Sequence, residues 1–188
     1  MPQDGIPTGR IVIGEPGAEP RAPFCPVAPL RFLCDEMLNG FAQWLRVAGY
    51  DTVVPTPGQP DRQLMAQARD ENRWLITADD DLLQFADAPL YVIHLTADSE
   101  ESRRRELTLR VDLDWCVAPF SRCKTCNTPL ERASDWQIVH FHPGAVPADQ
   151  TTVWACPACR QLFWEGNHVR RMRGVLETMN GWRKPRSD

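Results

Sequence analysis

Arg31-Phe-Leu-Cys34, Asp35, the span Glu36 to Ala48, Gly49, and Tyr50-Asp-Thr-Val-Val54 form the stretch whose reading decides the fold. Arg31–Cys34 is a short apolar run and reads as a strand. From Glu36 to Ala48 the residues Met37, Leu38, Phe41, Trp44, Leu45 and Ala48 recur at helical spacing,. Gly49 suits the C-cap of that helix. Tyr50–Val54 then reads as a second strand, so the stretch is strand, helix, strand.

The alternation continues along the chain. The turn-rich Pro55–Pro60 ends the second strand, and Asp61 is placed to cap a helix carrying Leu64, Met65 and Ala68,. Trp74-Leu-Ile-Thr77 reads as a third strand, Asp80 to Ala86 as a short helix, and Leu90 to Leu95 as a fourth strand. Ser99 to about Arg110 reads as a polar helix. Strands alternating with helices predict an α/β fold with a parallel sheet flanked by helices and right-handed crossovers. This domain is expected over residues 30–118.

Residues 1–29 hold seven Pro and four Gly, and only Arg10-Ile-Val-Ile13 has a strand pattern. The expectation is a mostly disordered leader; the remnant of an upstream domain is the alternative. Residues 119–180 form a cysteine-bearing module closed by a helix near Asn167–Met179, and 181–188 a tail. Val169, Met172, Leu176 and Met179 share one face of that closing helix.

With 188 residues, 43% hydrophobic and 24% charged, the chain has the balance of an ordinary globular protein,. No run approaches the roughly 18 apolar residues of a membrane span, and no signal-peptide pattern opens the sequence. A cytoplasmic protein is expected. The net charge of −4 is unevenly spread: residues 30–118 give −7, and residues 119–188 give +4. A basic second part points mildly to an anionic partner such as nucleic acid.

Cys123-Lys-Thr-Cys126 and Cys156-Pro-Ala-Cys159 form two tight pairs. The two-residue gap lets both thiolates of a pair reach one ion, and two pairs complete a tetrahedral shell for Zn²⁺. A small zinc-ribbon module in a reducing compartment is expected. The 29 residues between the pairs leave room for a strand pair or a flexible loop. His140 and His142 lie in this insert as alternative ligands, while His168, after the second pair, reads as a surface or hydrogen-bonding residue rather than a ligand. The odd total of seven cysteines argues against a disulfide framework,. Cys34 reads as a small buried apolar residue; Cys25 and Cys116 carry no usable pattern.

In an open parallel sheet, sites form at the C-terminal ends of strands. Asp35 follows the first strand, Asp61 opens the helix after the second, and Asp79, Asp80 and Asp81 follow the third. Carboxylates gathered at one edge call for a cation between them, and Mg²⁺ or Mn²⁺ prefers oxygen ligands. Such ions can polarise a phosphodiester and activate water; sharing them requires separations of about 4–8 Å. Each aspartate also has a plain reading as a cap or a partner of a helix dipole.

Thr77-x-Asp79-x-Asp81 after an apolar strand resembles the signature of PIN-domain ribonucleases. More widely, the chain resembles the Mut-seven C-terminal ribonuclease-domain family, a PIN-like α/β domain followed by a zinc ribbon. Arg31-Phe-Leu-Cys-Asp35 with Leu38, Leu45-Arg46 and Gly49-Tyr50-Asp51 resembles its opening strand and helix. Asp61 and Leu64 sit where the family has an acidic residue ahead of a helix, and Leu75-Ile-Thr-Ala-Asp-Asp-Asp-Leu82 resembles its second acidic motif. Ser121-Arg-Cys-Lys-Thr-Cys-Asn127 with Leu130, Trp154-Ala-Cys-Pro-Ala-Cys159 and Phe163-Trp164-x-Gly166-x-His168 resemble its two zinc knuckles.

The resemblance implies metal-dependent cleavage of RNA. Asp35, Asp79 and Asp81 would ligate Mg²⁺ or Mn²⁺, and Asp61 would ligate metal or orient water. Asp80 departs from the pattern, standing where a basic residue is more usual, and Asn39-Gly40-Phe41 departs from the family's usual turn. Arg170, Arg171 and Arg173 on the last helix are candidate RNA phosphate contacts, or a solvated basic face. Trp154 and Trp164 are candidates for stacking on bases or for packing around the zinc. The module is then expected to clasp a basic helix beside the acidic pocket. The alternative is a non-catalytic zinc-ribbon RNA-binding or adaptor protein with a degenerate PIN-like domain.

Overall fold

The computed structural model describes residues 30–150 and 152–183. The Pro-rich leader, with Arg10–Ile13 and Cys25, and the end of the tail lie outside the described residues.

Four strands, β1 (Arg31–Cys34), β2 (Asp51–Val53), β3 (Trp74–Thr77) and β4 (Val92–His94), form a wholly parallel sheet in the order β2-β1-β3-β4. A parallel sheet with helices on its faces buries both sides of its strands, so they read as unbroken apolar runs. Phe32, Leu33 and Cys34 are fully buried, as are Trp74, Leu75, Ile76 and Thr77. The crossovers are α1 (Asn39–Ala48), α2 (Asp61–Asp70) and a short turn of helix, α3 (Ala88–Tyr91); α4 (Glu100–Val111) follows the sheet.

Three local readings need correction. The first helix begins as a 3₁₀ turn over Glu36–Leu38 before α1. Residues 90 and 91 belong to α3, and strand β4 starts only at Val92. Pro89 in the first turn favours the helix there,, and Tyr91 Oη donates to Asp87 Oδ2 to hold that turn. Asp61 is the first helical residue of α2, not its cap; the cap position is Pro60.

The second part is a three-stranded antiparallel sheet of β5 (Glu131–Arg132), β6 (Val153–Ala155) and β7 (Leu162–Trp164), ordered β5-β6-β7. The insert between the cysteine pairs holds the strand pair β5–β6, and between those strands it also forms α5 (Asp135–Phe141). A capping box between Ser134 and Gln137 explains its start,. Ile138 and Phe141 of this helix, with Val146, cover Val153, Ala155 and Leu162.

The last helix, α6 (Asn167–Asn180), belongs to both parts. Leu176 and Met179 are buried in the core of the parallel sheet, and Asn180 Oδ1 accepts from Trp115 N–H at 3.1 Å. Its first half runs beside the small sheet. No helix among the described residues is long and apolar enough to cross a membrane.

Candidate active site and four-cysteine centre

β1 and β3 are central neighbours, and the chain leaves them in opposite directions, toward β2 and toward β4. Their C-terminal ends are therefore a topological switch point, where open α/β sheets hold their sites. Asp35 N–H donates to Ile76 O at 2.9 Å, which carries the ladder one residue past β1 and fixes Asp35 at the rim.

Buried Thr77 ties the two strand ends together. Its Oγ1 donates to Asp35 Oδ2 at 2.8 Å and accepts from Asp79 N–H at 2.9 Å. Asp79 Oδ1 in turn accepts from Asp81 N–H at 2.9 Å, capping the 3₁₀ turn Asp80–Gln84. Asp79, expected as a partner of the helix dipole, thus acts as a cap. The side chains of Asp35 and Asp61, the expected caps, make no cap bond. Asp81 Oδ1 accepts from Gln84 Nε2 at 2.9 Å.

Asp61 is exposed at the start of α2, and no hydrogen bond joins it to the other three. Its approach loop is tied to this rim, because Gly58 N–H donates to Glu36 Oε2 at 2.9 Å. Among the described residues, no Lys or Arg is salt-bridged to Asp35, Asp61, Asp79 or Asp81. Neither are these carboxylates drawn into a group of three ligand atoms all within 4.8 Å of one another.

Sequence reasoning missed two residues at this edge. His94 Nε2 lies 3.2 Å from Asp80 Oδ1, so the supernumerary carboxylate is met by an imidazole. The signal was present in principle: His94 ends β4 and pairs in register with Thr77. Reading the fourth strand through Leu95 hid that end. Glu100 is the second, since a Cβ at Gly40 would lie 2.6 Å from its Oε1. The unusual Gly40 lets this carboxylate stand against the start of α1.

The four cysteines do converge. Their sulfurs all lie within 4.8 Å of one another, with Cys123 Sγ 3.5 Å from Cys159 Sγ and Cys126 Sγ 3.3 Å from Cys156 Sγ. These separations are far beyond a disulfide bond of about 2.05 Å. They are near the edge of a tetrahedron built on Zn–S bonds of about 2.3 Å, roughly 3.8 Å. The donor set therefore fits Zn²⁺, and neither His140 nor His142 belongs to it. His140 instead stacks on Trp136 at 4.5 Å.

The two knuckles repeat one backbone design. Asn127 and Arg160, each following the second cysteine, have φ of 68° and 62°. Asn127 N–H donates to Cys123 O at 2.9 Å, and Arg160 N–H to Cys156 O at 3.0 Å. Cys123 N–H donates to Thr128 O and Cys156 N–H to Gln161 O. Burial pushes the Cys126 thiol up, but hydrogen bonds from Thr128, Cys156 and Cys159 outweigh it and bring it down to about 6. Cys159, pushed up by burial and by the neighbouring sulfurs, lies at about 12.

The module is bolted to the other end of the sheet. Buried Arg46, near the end of α1, donates to Thr52 O at 2.8 Å and to Lys124 O and Thr125 O at 3.1 and 2.8 Å. Asn127 Oδ1 accepts from Thr52 N–H at 3.0 Å, and its Nδ2 donates to Asp51 Oδ1 at 2.6 Å. These contacts satisfy the outward backbone groups of edge strand β2, which protects it from stray pairing. Asp51 also binds Arg73 and Arg31 at 2.9 and 3.0 Å. Ala118 and Phe120 N–H donate to Ala48 O and Val47 O at the end of α1. Arg46, Val47 and Ala48 lie at the end of α1, the helix that starts just after Asp35, so the module docks away from the strand ends that carry Asp35 and Asp79. The sequence reading sets the basic helix beside the acidic pocket; the contacts instead hold Arg173 over Phe120, 5.1 Å from its ring, at the opposite edge.

No curated protein and no solved structure matches the chain. A family model does match, that of the Mut7-C RNase domain, over residues 30–176. That span takes in both strand ends with their aspartates, the parallel sheet and all four cysteines, and by it the chain belongs to the Mut7-C RNase domain family.

Proposed function

We propose that the protein is a metal-dependent ribonuclease that hydrolyses RNA phosphodiesters at the rim formed by β1 and β3. The observation that supports this most is the Thr77 bridge, which holds Asp35 and Asp79 side by side at the switch point, with no Lys or Arg among the described residues salt-bridged to either carboxylate. Asp35, Asp79 and Asp81 are the residues to hold Mg²⁺ or Mn²⁺, since carboxylate oxygens are the donors these ions prefer. A divalent ion there supplies Lewis acidity toward the phosphodiester and lowers the pKa of a water. Thr77 fixes the direction of Asp35 and the backbone of Asp79, and Asp61 ligates or orients water from the start of α2. His94 takes up the extra carboxylate of Asp80.

On this reading residues 30–118 are the PIN-like nuclease domain. Residues 119–180 are a zinc ribbon, with Zn²⁺ held structurally by Cys123, Cys126, Cys156 and Cys159. The ribbon assists RNA binding through Arg170, Arg171 and Arg173. The test is incubation of zinc-loaded protein with single-stranded and structured RNAs, with and without added Mg²⁺ or Mn²⁺. Cleavage that requires the added ion supports the proposal, and intact RNA under all conditions refutes it.

A second reading is favoured by one observation: the aspartates do not close into a ligand group as tight as that of the cysteines. On this reading the chain is a non-catalytic RNA-binding or adaptor protein with a degenerate PIN-like domain. Salt-dependent RNA binding that is indifferent to Mn²⁺, without cleavage, distinguishes it.

A further inference from the structure

The small antiparallel sheet has two faces, and the insert covers only one. Val153 and Ala155 point into the cluster under α5, so Trp154 between them points the other way,. Phe163, its cross-strand partner, shares that face. The face floors a groove of about 400 Å³ whose walls include Phe120, Trp164, Val169 and Arg173. Trp154 remains 41% exposed there.

The surroundings of the groove are cationic. Arg173 lies over the Phe120 ring and is paired with Glu165 at 3.1 Å, so the acidic residue lining the groove is already neutralised. A small adjoining cleft shares Phe120, Leu130, Phe163 and Val169 with the groove, and Arg122, Lys124 and His168 line it. Arg170 and Arg171 are exposed on the same turn of α6 as Arg173. Aromatic floors beside tracks of cations are how single-stranded nucleic acid is held, bases stacking and phosphates meeting the charges. An apolar peptide partner would have no use for the cations.

We propose that this groove seats an unpaired RNA base against Trp154 and Phe163, with the flanking phosphates on Arg122 and Lys124 at one side and on Arg170 and Arg171 at the other. The proposal rests on RNA being the ligand of this chain. Because the groove belongs to the module fastened at the end of α1 and along β2, it is a subsite apart from the aspartates. The strand it grips must run along the depth of the sheet to reach them.

The experiment is fluorescence anisotropy of a labelled unstructured oligouridylate with zinc-loaded full-length protein and no added Mg²⁺ or Mn²⁺. Trp154→Ala is expected to weaken binding between about 5-fold and about 100-fold. Trp154→Phe should stay within about threefold, and both should keep the wild-type salt slope, since no charge is removed. Equal affinity of wild type and Trp154→Ala overturns the proposal, and is the outcome expected if the groove serves a protein partner. Should Trp154→Ala shed its zinc, tryptophan quenching on adding RNA decides: loss of part of it in Trp154→Phe supports the proposal, and identical quenching overturns it. A protein that binds RNA through Trp154 but never cleaves refutes the nuclease reading alone. One that cleaves while Trp154→Ala binds like wild type refutes only the base subsite.

Discussion

Thr77 and Asp35 are joined across the two central strands by a 2.8 Å hydrogen bond from the Thr77 hydroxyl to the Asp35 carboxylate. The same hydroxyl accepts from Asp79 N–H. One buried side chain therefore sets the direction of two candidate metal ligands, as supporting partners of ligating carboxylates do. Thr77→Val keeps the shape and removes both bonds. Metal-dependent cleavage is expected to fall about 10- to 100-fold, with a raised requirement for Mn²⁺, and Thr77→Ser should restore most of it. Unchanged Mn²⁺ dependence in Thr77→Val would remove Thr77 from the account.

Asp51 is the centre of the docking network, and its environment gives a pH signature. Burial pushes its carboxyl up, but hydrogen bonds from Arg73, Asn127 and Arg31 and the charge of Arg73 outweigh this and hold it well below the usual carboxylate range. A depressed folded value stabilises the fold fully above the unfolded value of about 4, and the contribution is lost as pH falls toward the folded value. Asp51→Ala leaves buried Arg73 without this partner, at a cost of roughly 3 kcal/mol at neutral pH. The difference in stability between wild type and variant should shrink below about pH 4. Urea unfolding at several pH values reads it; a pH-independent difference would contradict this role.

Gly49 closes α1 with φ of 108°, and a Cβ there would stand 2.5 Å from Ala118 O. Gly49→Ala must both adopt a left-handed backbone and push away the segment that carries the cysteine module. A loss of about 2 kcal/mol or more is expected in thermal or urea unfolding. A change within about 0.5 kcal/mol, typical of plain surface sites, would show that this approach is relaxed without cost.

Zinc content is checked directly by elemental analysis, with one Zn²⁺ per chain expected. Stripping it with a strong chelator should unfold the small sheet and change near-ultraviolet dichroism from Trp154 and Trp164. The core around Phe32, Trp74 and Ile76 should keep much of its far-ultraviolet signal, because none of its buried side chains ligates the metal. A protein purified without zinc and indifferent to the chelator would leave the four sulfurs without this purpose.

The parallel sheet was legible in the sequence because its strands are buried on both sides, and Phe32–Cys34 and Trp74–Thr77 announce themselves as unbroken apolar runs. Asp35 and Asp79 followed from where those runs stop. Local competition hid other features: Pro89 turned the start of the fourth strand into α3, which concealed His94 at a strand end, and the Ser134–Gln137 capping box folded the middle of the insert, between its paired strands, into α5. The docking of the module was not legible at all. Arg46 meets Lys124 and Thr125 across some 78 positions of sequence, and neither periodicity nor spacing encodes such a contact. The consequence was a wrong placement of the basic helix, which the packing of Phe120 on the end of α1 corrects.

The central claim is that the aspartates at the ends of β1 and β3 cleave RNA. The most direct measurement is the rate of RNA cleavage with Mn²⁺ by wild type, Asp35→Asn and Asp79→Asn, each shown to be folded and zinc-loaded. The account predicts cleavage by the wild type and a fall of about 100-fold or more in both variants. Equal cleavage by all three proteins, or none by any, would contradict it.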